Sequence, residues 1–203
     1  MFLIDADVAV SDVTLENIEK MALTARGTSQ VRADRLFIQD GHVGIWLEES
    51  ASLRLDDSIV KHNESAGICA YGHASAKIYN SVFDGNHDDG IYGDGHAVLR
   101  VTDSLVLRNA PFGVRGTKSS RVWVGYSVLF ANQHAISHGR GENRVMRGHG
   151  LIEADPEVDA QYRARAGSPL DAGGDPGQHD ERGALLPIGL TPAMSGRTGA
   201  GPK

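Results

Sequence analysis

The stretch Asn86-His87-Asp88-Asp89-Gly90-Ile91 sets an imidazole and two adjacent carboxyls directly before a glycine. Paired carboxyls suit general acid–base chemistry, in which one group gives a proton and another takes one. Steps of 23 residues from Tyr92 reach Cys69 and Trp46 on one side and Arg115 on the other. Two residues further on, Glu48, Tyr71, Asp94 and Thr117 keep the same interval. Aromatic rings such as Trp46, Tyr71 and Tyr92 are flat apolar surfaces on which a sugar can stack, and the tyrosines add a polar tip. Arg115 offers planar, two-pronged recognition of a carboxylate such as that of a uronate. With His87 at the entrance and Asp94 at the side, these residues read as a substrate-binding face. The competing reading is an ordinary solvated sheet face, because adjacent aspartates are also common at turns.

What must position these residues is a repeat. Asn17, Asp40, Asn63, Asn86, Asn109 and Asn132 fall in one column of 23-residue rows, and Asp155 extends it. Four or five residues later come Gly44-Ile45, Gly67-Ile68, Gly90-Ile91 and Gly113-Val114, with Ala135-Ile136 one residue early. A second block precedes the column: Asp57-Ser58-Ile59-Val60, Asn80-Ser81-Val82-Phe83, Asp103-Ser104-Leu105-Val106 and Tyr126-Ser127-Val128-Leu129. A row of this length cannot bury its own apolar side, but stacked rows cover one another. Short alternations such as Lys77-Ile78-Tyr79 and the Val/Ile bias are strand signals. Three short strands and three bends per row predict an all-β fold, a single-stranded right-handed parallel β-helix of 6–7 coils. At a rise of ~4.8 Å per coil the rod is about 30 Å long. The asparagines are expected to be structural: their amides can stack along the axis, and Asn tolerates the left-handed backbone of a sharp bend. One local alternative is a helix over Thr14 to Arg26, where Leu15, Ile18, Ala22 and Ala25 share a helical face.

Composition agrees. The 203 residues include 25 glycines, only 7 prolines and one cysteine, Cys69, and carry a net charge of −6. A chain of this size suits one domain. A lone cysteine excludes a disulfide framework, the acidic balance argues against a nucleic-acid partner, and no apolar run reaches the ~18 residues of a membrane span. Met1-Phe2-Leu3-Ile4-Asp5 lacks the basic start and long apolar stretch of a signal peptide; the compartment is left unassigned. The β-helix is assigned to residues 1–142, an irregular last coil or cover to 143–174, and a Pro/Gly-rich extended or disordered tail to 175–203. No amphipathic helix precedes the first strand, so the open edge around Val8 to Val10 and Val13 to Leu15 is expected to support self-association.

The rhythm N-S-V-F-x-x-N-x-x-x-G-I over residues 8 to 140 resembles the pectin-lyase-like superfamily of right-handed β-helix proteins. Residues 154 to 174 are similar to the C-terminal end of many bacterial surface or secreted β-helix proteins, which implies a natural C-terminus and a shortened N-terminus. Members of the superfamily mostly cut, epimerise or bind acidic polysaccharides in a groove over the strand that begins at the Gly-Ile column. Asn86-His87-Asp88-Asp89-Gly90-Ile91 resembles the N-x-D-D-x-I element of polygalacturonase-type hydrolases. That likeness implies Asp88 and Asp89 as the catalytic carboxyls that protonate the leaving oxygen and activate water. Gln133-His134-Ala135-Ile136-Ser137 looks like the same family's histidine element and implies His134 as a third catalytic residue, although it lies two coils away. The sequence departs from the pattern twice: Ala66 stands where an aspartate is expected and Phe112 where the histidine is expected. The resulting expectation is a solenoid that binds or modifies a uronate-containing glycan, catalytically or as a shortened relative. The alternative is a non-catalytic scaffold that binds protein.

The remaining clusters carry weaker chemistry. His73 and His96 stack by spacing, and with Asp94 they could hold a metal, but surface histidines are the simpler reading. No cofactor is assigned; calcium on Asp88, Asp89 and Asp94 is the one ion weighed. Arg54, Lys77 and Arg100 form a basic column with Trp123 next in line. It awaits either an anionic partner or neutralisation by Asp56 and Asp57. Cys69 reads as a small apolar residue, and His149 is given no role.

Overall fold

Alternating apolar and polar residues in runs of three to six residues fold into strands that pair only with the coils above and below. The computed structural model describes residues 1–137 and 145–172. Its strands form three parallel sheets running the length of a rod. Sheet A comprises Phe2–Ile4, Met21–Arg26, Val43–Leu47, Ile68–Ala70, Ile91–Gly93, Phe112–Gly116 and His134–Ile136. Sheet B comprises Asp7–Ser11, Gln30–Asp34, Ser52–Asp56, Ser75–Tyr79, Val98–Thr102, Arg121–Gly125 and Val145–Arg147. Sheet C comprises Thr14–Glu16, Phe37–Gln39, Ile59–Lys61, Val82–Asp84, Leu105–Leu107 and Val128–Phe130. The β-helix expectation holds. The helix alternative does not, because Thr14–Glu16 and Met21–Arg26 are strands. Among the described residues only Pro169–Ala172 is helical, as a 3-10 turn, and no helix is long and apolar enough to cross a membrane.

The inward column Ile45, Ile68, Ile91 and Val114 is in register from coil to coil and fully buried. It packs in the lumen against Leu55, Ile78 and Val101 of sheet B and Val60, Phe83 and Val106 of sheet C. The asparagine ladder begins at Asn63. Asn63, Asn86 and Asn109 each donate through backbone N–H and Nδ2 to Oδ1 of the asparagine one coil on, at 2.8–3.2 Å, ending at Asn132. The other amide proton of Asn86 and Asn109 goes to the carbonyls of Val60 and Phe83.

Asn17 and Asp40, expected in this column, are not in it. Sheet C pairs Gln39 with Lys61, an offset of 22, so Asp40 aligns with His62, and Gly41 donates to Asn63 Oδ1 instead. Asp155 is also outside the ladder, accepting a hydrogen bond from the N–H of Glu157 in its own turn. The left-handed backbone falls on the residue before each ladder asparagine, at His62, Gly85, Arg108 and Ala131. The ladder also explains the glycine column. A Cβ at Gly90 would come within 2.7 Å of Asn109 Nδ2, and one at Gly67 within 3.0 Å of Asn86 Nδ2.

A second ladder runs through the serines. The N–H groups of Ser58, Ser81 and Ser104 donate to Oγ of Ser81, Ser104 and Ser127, at 3.1–3.2 Å. Each hydroxyl in turn donates to the carbonyl two residues back.

The outer surfaces differ. Phe37, Ile59, Val82, Leu105 and Val128 on the outside of sheet C are covered by residues 152–170, chiefly Tyr162 and Leu170. Buried Asp84 fixes this cover: it accepts from Tyr162 Oη at 2.6 Å and from Arg108 at 2.9 and 2.5 Å. The outer faces of sheets A and B carry open hollows. The boundary expected at 142/143 and the tail 175–203 lie outside the described residues, while Val145–Arg147 continues sheet B.

Candidate functional site

The bend before each Gly-Ile pair turns one residue onto the outside of sheet A. At the 23-residue offset this column holds Val43, Ala66, Asp89 and Phe112, and His134 follows by pairing with Phe112. Beside it runs the outward strand column Trp46, Cys69, Tyr92 and Arg115, in the register expected from the sequence. Together they shape an open cavity of about 250 Å³ lined by Trp46, Ser65, Ala66, Cys69, Tyr71, Asp88, Asp89, Tyr92 and Arg115.

Its floor is apolar. Val43, Ala66 and Cys69 are buried, with Trp46, Tyr71 and Tyr92 packed on them. The Trp46 and Tyr71 ring centroids are 4.5 Å apart, and Tyr71 meets Tyr92 edge-on at 5.7 Å. The Trp46 indole is tethered to Glu48 at 3.0 Å. Burial pushes the Tyr71 hydroxyl up and the Cys69 thiol up to about 12, so Cys69 stays a protonated thiol.

Asp89 sits at the cavity's edge and is only 2 % exposed. Its backbone is fixed on both sides: its N–H donates to Asp88 Oδ1 at 2.9 Å, and its carbonyl accepts from Gly67 at 3.1 Å. Its side-chain Oδ1 is buried and has no hydrogen-bond partner. Oδ2 stands 3.6 Å from Arg115 Nη1. Burial raises the Asp89 pKa to about 7, and the neighbouring Asp88 charge adds to the rise. Arg115 and the Phe112 backbone N–H oppose it. A buried carboxyl with an unpaired oxygen, titrating near neutrality, is a group suited to exchanging protons. The Arg115 guanidinium is bracketed by Tyr92 at 5.5 Å and Phe112 at 5.4 Å, and its side chain stays 38 % exposed.

Not every expected residue joins the cavity. Asp94 is held by Thr117 Oγ1 at 2.9 Å, Lys118 Nζ at 2.7 Å and the Gly95 N–H at 2.7 Å. Burial alone would raise its pKa, but these bonds outweigh it and hold the carboxyl below its ordinary value. Through Thr117, which bonds Tyr92 Oη at 3.1 Å, Asp94 orients the Tyr92 ring. His87 is exposed and outside the lining. His134 is also exposed and lies beyond the Phe112 ring, 5.2 Å from its centroid, so it does not meet the carboxyls. His73 and His96 do stack, at 4.9 Å. Among the described residues, no three His, Cys, Asp or Glu side chains gather to hold a metal, the Asp88, Asp89 and Asp94 set included.

Ser65 lines the cavity without having been singled out from the sequence, whereas Ala66 and Phe112 stand where the resemblance had expected an aspartate and a histidine. Both share Asp89's place in the repeat, and the structure keeps them in that column.

The model of the right-handed β-helix region family matches residues 3–147. The chain belongs to that family. No curated protein and no solved structure matches it. The family's fold is that of polysaccharide-related or structural solenoids in general. It does not by itself decide what the sheet A cavity does.

Proposed function

We propose that the outer face of sheet A binds a uronate-bearing polysaccharide and that Asp89 acts on it as a general acid. The observation that carries this reading is the Asp89 carboxyl: buried, half-unpaired, raised to about 7, and set beside an aromatic floor and an arginine fork. Trp46, Tyr71 and Tyr92 stack against sugar faces, and Arg115 takes a uronate carboxylate with the donors that Asp89 leaves free. In hydrolysis the Asp89 proton passes to the leaving glycosidic oxygen as the anomeric C–O bond breaks. Water adds to the anomeric carbon and gives its proton to Asp88.

A second reading is binding without turnover. It is favoured by the apolar Ala66 and Phe112 on either side of Asp89 in its column, and by the separation of His134 from the carboxyls. The test is product formation from polygalacturonate and alginate oligomers. The acid role predicts reducing ends from the parent, none from Asp89→Asn, and nearly equal binding by both. No product from the parent, with binding intact, supports the second reading.

A further inference from the structure

The outer face of sheet B changes character along the rod. In its first half cations meet carboxylates: Arg54 grips Asp56 through two bonds at 2.7 and 2.9 Å, and Arg35 pairs with Asp12 and Asp34. In its second half the outward strand positions carry no carboxylate. Lys77 and Arg100 continue the Arg54 column in register, and Arg121 follows on the next strand. The sequence column also extends further than the spacing of 23 indicated, because Arg32 joins it at an offset of 22.

Trp123 and Met146 complete the second half. The Arg100 guanidinium lies 4.2 Å from the Trp123 ring centroid. Gly125 and Gly148 floor the indole: a Cβ on either would come within 2.3 Å of it. Val98 and Met146, 41 % and 46 % exposed, border an open hollow of about 440 Å³ with Arg100, Arg121 and Trp123. Cations stacked on adjacent strands repel across the ~4.8 Å coil spacing unless a counter-charge lies over them. This chain has a net charge of −6. Among the described residues it nonetheless leaves Lys77, Arg100 and Arg121 without an ion pair.

We infer that this half of sheet B is a second binding site, for a carboxylated polysaccharide laid along the rod axis. Its carboxylates meet Lys77, Arg100 and Arg121 in turn, and a sugar face rests on the rim of Trp123 and on Met146. A linear polymer fits because Lys77 and Arg100 repeat at the coil spacing and Arg121, in register with Val98, sets a third cation one strand further and two residues to the side, next to Trp123. The inference shares its ligand class with the sheet A proposal but none of its residues.

The protein has two tryptophans, one at each site, and this separates the two. Trp46→Phe leaves Trp123 as the only reporter, and Trp123→Phe leaves Trp46. Polygalacturonate is titrated into each, with neutral dextran and poly-glutamate as controls and circular dichroism to confirm the fold. The expected result is a saturable change in Trp123 emission that dextran and poly-glutamate do not cause. In an Arg100→Ala/Arg121→Ala background it should weaken by roughly tenfold or more, as loss of charge-assisted contacts implies. Unchanged Trp123 emission, or emission insensitive to the arginine substitutions, overturns the second site whatever Trp46 reports. An equal response to poly-glutamate overturns the polysaccharide class in favour of an acidic protein. A response at Trp123 with none at Trp46 keeps this site and removes the sheet A proposal.

Discussion

Asp89 Oδ2 and Arg115 Nη1 stand 3.6 Å apart on neighbouring coils, near enough for attraction but too far for a hydrogen bond. The arginine therefore only moderates the effect of burial, and Asp89 titrates at about 7 rather than in the ordinary carboxylate range.

Removing the arginine should move Asp89 further up. In Arg115→Ala the opposing charge is gone while burial and Asp88 remain, so the pKa should rise above about 7. A carboxyl-carbon NMR titration of parent and variant measures it. A fall, or no movement, would show that Arg115 does not act on Asp89.

The same carboxyl makes stability depend on pH. Unfolded, Asp89 ionises near 3.8; folded, near 7. Between those values the unfolded chain binds fewer protons, so rising pH favours unfolding. Its neutral form fits the fold best at low pH, and that advantage is lost as pH climbs to about 7. Asp89→Asn lacks this dependence. Thermal melts from about pH 4 to about pH 8 should show the variant gaining on the parent as pH rises. A constant difference would contradict the raised pKa.

Asn86→Leu should cost about 1–3 kcal/mol, because it strands the backbone and side-chain N–H donors of Asn63 and takes the Nδ2 donor from Asn109 Oδ1 and the Val60 carbonyl. Denaturant unfolding reads this directly. A parent-like midpoint with an unchanged slope would remove the ladder from the account of stability.

Tyr162→Phe should loosen the cover on sheet C. Asp84 would keep Arg108 but lose the 2.6 Å bond from Tyr162, a cost of about 1–3 kcal/mol for a buried charged acceptor. Limited proteolysis should then cut within residues 152–170 sooner than in the parent. Identical digestion would mean that apolar packing of Leu170 and its neighbours holds the cover alone.

The coil architecture was legible because stacking writes itself into the chain as a period. Ile45, Ile68, Ile91 and Val114 each see the same lumen. The outward columns Trp46-Cys69-Tyr92-Arg115 and Glu48-Tyr71-Asp94-Thr117 followed by alternation. A fixed period fails where a bend gains or loses a residue, and Asn17, Asp40 and Arg32 were misplaced or overlooked for that reason. The serine ladder was visible as a repeated letter, but its bonds depend on backbone geometry that the letters do not state. Asp94 and His134 had suitable chemistry, yet three bonds occupy one and the Phe112 ring separates the other from the carboxyls. Asp89's raised pKa depends on how deeply the bend buries it, which spacing alone does not give.

If acidic glycan occupies the sheet A cavity, its carboxylate depends on Arg115. Calorimetric titration of polygalacturonate oligomers into Arg100→Ala/Arg121→Ala, which lacks the sheet B cations, and into the same protein with Arg115→Ala isolates the sheet A cavity. Losing a charge-assisted pair worth roughly 1.5–3 kcal/mol should weaken binding by about tenfold to a hundredfold, while a neutral glucan should bind neither protein. No binding by the first of these proteins, or equal affinity in the two, rules acidic glycan out of the sheet A cavity.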